Sequence, residues 1–168
     1  MKLILQFSAA LAVSALAACA TPTGDTVLPT SIKTDAMLTI VTSGDPETQL
    51  MALVLTRSAK AAGEAPRILL CSAGGDLALA EAPESALMPL QPQGASPQGV
   101  LKALITEGVQ VDVCAIYLPN RTFGKEALIE GVGVAKPDDI GKLIASPEIE
   151  ILNCAGNPGG CLVGVMQR

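Results

Sequence analysis

Apolar and polar positions divide this chain into an opening hydrophobic run, a polar interval, and a long stretch where short apolar runs alternate with helical periods. Residues 3–18 are apolar, broken by Gln6, Ser8 and Ser14, and lead into Leu16-Ala17-Ala18-Cys19. Residues 20–35 are polar, contain Pro22 and Pro29, and have no period. From there the pattern changes. Residues 36–43 (AMLTIVTS) form a short β-rich run closed by Gly44, which predicts a buried strand. Asp45-Pro46 reads as an N-cap followed by the first helical residue. The helix then carries Leu50, Met51, Leu53, Val54 and Leu55 and stops at Gly63. Its apolar face is broader than one sheet contact needs.

Residues 67–71 (RILLC) predict a second buried strand, followed by Ser72-Ala73-Gly74-Gly75-Asp76. Residues 83–97 are rich in Pro, Gln and Gly and read as a long surface loop of the kind that serves as a lid or partner contact. Ser96-Pro97 opens a helix with Val100, Leu101, Leu104 and Ile105 on its core face, ended by Gly108. Residues 109–118 (VQVDVCAIYL) predict the third strand, and Pro119-Asn120-Arg121 turns the chain. Thr122 then caps a helix running through Leu128 and Ile129, and Pro137 starts another that reaches Ala145. Residues 148–153 form the fourth strand, and the apolar tail at 161–166 reads as an added edge strand. Strands alternating with helices imply βαβ units, hence a parallel sheet with right-handed crossovers.

The opening run has a basic Lys2 and the length of a signal h-region, shorter than the roughly 20 apolar residues of a membrane span. Leu-Ala-Ala-Cys at its end resembles a lipobox, with Cys19 as the thiol that receives the lipid. An ordinary secretory cleavage after Ala20 is the alternative, since Ala18 and Ala20 satisfy the small-x-small rule. Residues 1–19 are thus read as a lipoprotein signal, 20–35 as a tether and 36–168 as one α/β domain. The expected location is the periplasm, lipid-anchored to a membrane. Ala20 rather than Asp after the cysteine favours the outer one.

Loss of the signal removes Lys2 from 11 Lys and Arg, leaving 10 against 16 Asp and Glu, a net charge of −6. No basic cluster is present, which argues against nucleic acid as a partner. Histidine is absent, and that excludes His-based triads and most His-containing zinc sites. Trp is absent too, and with Phe7 in the signal only Tyr117 and Phe123 remain as aromatic rings, so the core must be built mainly from aliphatics. The Gly-rich stretches at 131–133 and 156–160 lack the endings of phosphate or dinucleotide loops, and no cofactor is expected.

Beyond Cys19 the cysteines are Cys71, Cys114, Cys154 and Cys161. The first three fall near the carboxyl ends of predicted strands, the edge where open parallel sheets bind ligands. Cys114 is followed by Arg121 and by the predicted helix start at Thr122, and both would favour its thiolate. Buried cysteine as plain core filling is the competing explanation. Cys154 and Cys161 bracket a flexible Ala-Gly-Asn-Pro-Gly-Gly and are expected to pair as a disulfide in an oxidising compartment. Cys71 could pair with Cys114 if their strands are neighbours, although adjacent parallel strands seldom bring side chains to disulfide geometry. No Cys-x-x-Cys spacing exists, and no metal is expected.

The order of elements, with LTIVTSGD, GEAPRILLCSAGGDLALA, GVQVDVCAIYLPNRTFGKEALIEGV and KPDDIGKLI, resembles the DsrE/DsrF/TusD-like (YchN-like) family of small sulfur-relay proteins over roughly residues 36–153. The resemblance implies a three-layer α/β/α sandwich with a mainly parallel sheet of about five strands, often assembled as a homo-oligomer. It also implies that a cysteine at the position of Cys114 carries sulfur as a persulfide, with a protein partner in the transfer. Two functions stand side by side. One is a membrane-anchored protein that binds or carries a sulfur species on Cys114, assisted by Arg121. The other is a non-enzymatic binding or assembly module whose cysteines are structural.

Overall fold

The structure, a computed structural model, describes residues 36–156 and 160–165; the expected signal, lipobox Cys19 and tether lie outside them. Six strands form one sheet: β1 (Ala36–Val41), β2 (Pro66–Leu70), β3 (Gln110–Val113), β4 (Val132–Val134), β5 (Ile149–Cys154) and β6 (Cys161–Val165). Their order is β4-β3-β2-β1-β5-β6, parallel throughout except for the antiparallel β5–β6 pair. The helices are α1 (Pro46–Ala61), α2 (Glu84–Leu87), α3 (Pro97–Thr106) and α4 (Pro137–Ala145). This is the expected mainly parallel α/β sandwich, with five parallel strands and one antiparallel edge strand.

Period-two alternation in the strands builds the layers. Met37, Val41, Ile68, Leu70, Val111 and Val113 face α1 and α3, where Ala52, Leu53, Leu101 and Leu104 complete the larger core. Leu38, Leu69 and Ile149 face the other way, toward Ile140, Leu143 and Ile144 of α4. Thr39 breaks the apolar pattern of β1, and its hydroxyl pairs at 2.7 Å with that of Thr56 on α1, which also bonds the Ala52 carbonyl. A buried hydroxyl pair satisfied in this way avoids the cost of an unpaired polar group.

Local chemistry sets most helix starts. Asp45 accepts from the Thr48 amide at 2.8 Å with Pro46 in the first turn, and Ser96 does the same for Gly99 ahead of α3. Among the described residues no helix is long and apolar enough to cross a membrane.

Three expectations need correction. The loop expected at 83–97 contains the single helical turn α2 and a bridge between Leu90 and Ala95. The third strand ends at Val113 rather than Leu118, because the chain turns at once: the Tyr117 amide donates to the Cys114 carbonyl at 2.8 Å. The helix expected from Thr122 does not form. A short 3-10 turn at Lys125–Ala127 follows Gly124, whose amide is taken by the Glu126 carboxylate, and Leu128 bridges to Leu79 instead. After it, Val132-Gly133-Val134 supplies β4, a strand the alternation had not suggested because its middle residue is glycine.

Candidate functional site

The four described cysteines lie in two pairs, each across a register position of the sheet. Cys154 and Cys161 are register partners in the β5–β6 ladder, with Cα atoms 4.0 Å apart, and are joined as a disulfide. Cys154 is buried in the α1/α3 core, so this bridge pins the antiparallel edge strand to its neighbour.

The second pair forms at the carboxyl edge of β2 and β3. The ladder ends at Leu70 opposite Val113, and the next residues on each strand are Cys71 and Cys114. Both continue the ladder through backbone bonds, Cys71 to the Val41 carbonyl and Cys114 to that of Leu70, each at 2.9 Å. Alternation turns both toward the α4 face, where they pack on the smaller core. Their Cα atoms are 5.1 Å apart and the sulfurs are bonded. Such pairing is uncommon within a parallel ladder, but here the strands have just ended. Ser72 adopts φ +52°, a left-handed conformation that costs a non-glycine residue about 1 kcal/mol, and it takes the chain sharply away from the sheet.

The two loops are tied a second time, independently of sulfur. The Tyr117 hydroxyl, on the β3 side, donates to Asp76 Oδ1 on the β2 side at 2.6 Å. Arg121 Nη2 donates to Asp76 Oδ1 at 3.3 Å and to the Ser72 carbonyl at 3.4 Å, and its guanidinium lies 4.6 Å from the centre of the Tyr117 ring. Tyr117 is only 3% exposed. Burial, followed by the hydrogen bond to Asp76, pushes its hydroxyl pKa up to about 12. The ring occupies the space beside Gly75 where a Cβ would stand, and Gly74 lies against the Val41 carbonyl in the same way. The Gly74-Gly75 pair is what lets the loop approach both β1 and the ring. Gln98 of α3, buried, donates from its amide to the Leu77 and Leu79 carbonyls at 3.1 and 2.7 Å and holds the far end of this loop.

Arg121 thus joins the site, but through Asp76, Tyr117 and the Ser72 carbonyl rather than as the partner of a Cys114 thiolate. The expected helix N-terminus beside Cys114 is absent, and Cys114 is bonded to Cys71. Sequence reasoning passed over Asp76 and Tyr117. The available signal was positional: Asp76 follows Cys71 by five residues, Tyr117 follows Cys114 by three, and Tyr117 is the chain's single tyrosine. Among the described residues no cluster of three or more Cys, Asp and Glu could hold a metal ion. The topological switch of the sheet, where doubly wound folds usually bind ligands, lies between β1 and β5, two strands from the Cys71–Cys114 pair.

No family model matches the chain, and no curated protein matches it in sequence. Solved structures do resemble it. The YchN protein from E. coli matches with a TM-score of 0.55 at 18% identity, over 70% of this chain and 96% of that one. MTH1491 from Methanobacterium thermoautotrophicum, described as a protein of unknown function, matches with a TM-score of 0.51 at 20% identity, over 70% and 96%. At these identities the likeness is one of fold, and the chain shares the mainly parallel α/β fold of YchN.

Proposed function

We propose that this protein is an exported, lipid-anchored domain of DsrE-like fold that carries a sulfur species on Cys114, with Cys71 as the sulfur that closes the site when it is empty. The carrying observation is the pairing of Cys71 and Cys114 at the carboxyl edge of the sheet, both half-buried, beneath a latch of Asp76, Tyr117 and Arg121. An oxidising compartment, implied by the lipobox at Cys19, favours the closed form. Ile116, 72% exposed and two residues beyond Cys114, offers an apolar contact for a protein partner. The anchor is the lipid on Cys19, with the outer membrane as its destination.

The second reading is a binding or assembly module, favoured by the fact that all four described cysteines are paired. The intact mass of protein purified from its own compartment separates the two. A species ~32 Da heavier than the form with Cys71 and Cys114 reduced marks a persulfide and supports the carrier. A mass corresponding to two disulfides in every preparation supports the module.

A further inference from the structure

The proposed carrier has a loading route that needs no separate oxidant, and this inference rests on that reading. We infer that the Cys71–Cys114 disulfide is itself the sulfur acceptor, opened by hydrosulfide. Hydrosulfide attacks Cys114 Sγ, a new sulfur–sulfur bond forms there, the Cys71–Cys114 bond breaks, and the electron pair leaves on Cys71 as a thiolate. Cys114 becomes a persulfide, and the incoming sulfur is oxidised by giving up the two electrons that reduce the disulfide. The proton that hydrosulfide brought ends on whichever of the two sulfurs is more basic, the remaining anion taking one from water. The reverse attack by Cys71 on the inner sulfur of the persulfide expels hydrosulfide and restores the disulfide.

Three observations give the step its direction and its substrate class. The leaving sulfur in thiol–disulfide exchange is the one better stabilised as a thiolate. Arg121 Nη2 donates to the carbonyl of Ser72, the residue following Cys71, and to Asp76 of the same loop, so its hydrogen bonds fall on the Cys71 side of the pair. Cys114 packs against both cores of the sheet while Cys71 packs only against the α4 side, which gives the sulfur that keeps the bond the more fixed position. Both cysteines are half-buried, which admits a small anion and hinders a bulky thiol such as a peptide cysteine.

The latch is what makes the step reversible. Opening a disulfide ordinarily releases the two segments it joins. Here the Tyr117 hydroxyl, Asp76 and Arg121 still connect the loop after β2 to the loop after β3, and the ladder holds both strands up to Leu70 and Val113. Cys71 therefore stays within reach of Cys114 when the bond is open. Asp76, Tyr117 and Arg121 are positioning residues in this scheme, and none of them touches the reacting sulfur.

The test uses the full-length protein purified with its disulfides intact, treated with sodium sulfide without oxygen, alkylated and digested with trypsin. Cys71, Cys114 and the Cys154–Cys161 pair fall in separate peptides, 68–102, 103–121 and 143–168. The expected result is an intact mass ~34 Da above the oxidised chain, with the persulfide on peptide 103–121 and a free thiol on 68–102. A disulfide that survives millimolar sulfide, or sulfur found mainly on 68–102 or 143–168, overturns the inference. In the Tyr117→Phe variant, loading should persist while the return to disulfide after sulfide removal slows several-fold. An unchanged return rate overturns the role of the latch. Native protein that carries the extra sulfur, together with a disulfide inert to sulfide, removes this loading route and leaves the carrier standing. A chain that loads in vitro but never carries sulfur natively supports the exchange chemistry and removes the carrier.

Discussion

Cys71 and Cys114 are register partners: their separation of 43 residues is the same offset that pairs Arg67 with Gln110 and Leu70 with Val113. The disulfide is therefore the β2–β3 ladder carried one step further in covalent form. A slip of one residue in either strand would turn one sulfur to the opposite face and abolish the pair. Strand pairing and site chemistry depend on the same alignment.

Cys71→Ser should leave Cys114 as a single free thiol. Native-state alkylation is expected to modify peptide 103–121 in the variant and no described cysteine in the unreduced parent. Loss of the cross-link should also lower stability by about 4 kcal/mol, against about 2.5 kcal/mol for opening the much shorter Cys154–Cys161 loop, on chain-entropy grounds. Denaturant unfolding of the two Cys→Ser variants side by side checks that order. Equal losses would contradict it.

Tyr117 should resist ionisation. Its pKa is raised in the folded chain to about 12, above the value near 10 of an exposed tyrosine, so the folded state holds the phenolic proton more tightly. The stabilisation this confers is fully present below pH 10 and disappears as pH rises toward 12. With one tyrosine and no tryptophan, the absorbance of tyrosinate reports this residue alone. A titration midpoint at 10 in the native protein would contradict the latch.

Gly75→Ala should unseat the Tyr117 ring, because a Cβ at this position meets the ring edge within contact distance. Overpacking of this kind costs about 1–3 kcal/mol. The specific signature is a Tyr117 midpoint falling back toward 10, measured by the same absorbance titration. Loss of stability with the raised midpoint retained would mean that the strain is absorbed elsewhere.

Cys19→Ala should release the protein from the membrane or leave its signal uncleaved. Cell fractionation and the N-terminal mass of the product decide it. Unchanged membrane association of a processed chain would rule out lipidation at Cys19.

The outer face of α1 should join copies of the chain. Met51, Val54 and Leu55 are 52, 39 and 39% exposed, with Leu87 and Met88 also exposed, more apolar surface than an isolated helix face normally leaves to water. Light scattering at micromolar concentration should give a multiple of the chain mass, and Met51→Glu should reduce it. A parent chain that scatters as a monomer refutes this assembly.

Elements governed by neighbouring residues were legible in the chain. Asp45-Pro46 and Ser96-Pro97 begin α1 and α3, Pro137 begins α4, and the runs around Ile40, Leu69 and Leu152 became β1, β2 and β5. These signals are local, since caps and hydrophobic periods act within a turn or a strand. The α/β layering followed from their alternation. Where the outcome depended on contacts between distant segments, the local reading failed. The run from Val109 to Leu118 has the composition of one long strand, yet Tyr117 is drawn over Gly75 to reach Asp76, 41 residues away, and the strand stops at Val113. Thr122 has the chemistry of a cap, but Leu128 bridges to Leu79 and the segment forms only a 3-10 turn. β4 exists because Val111 and Val113 offer an edge to Val132 and Val134. The sequence alone thus determined the fold class, the main helices and the placing of cysteines near strand ends. Tertiary structure decided that Cys71 faces Cys114 and that Arg121 serves Asp76, because register and loop approach are set by long-range packing rather than by the order of residues along either segment.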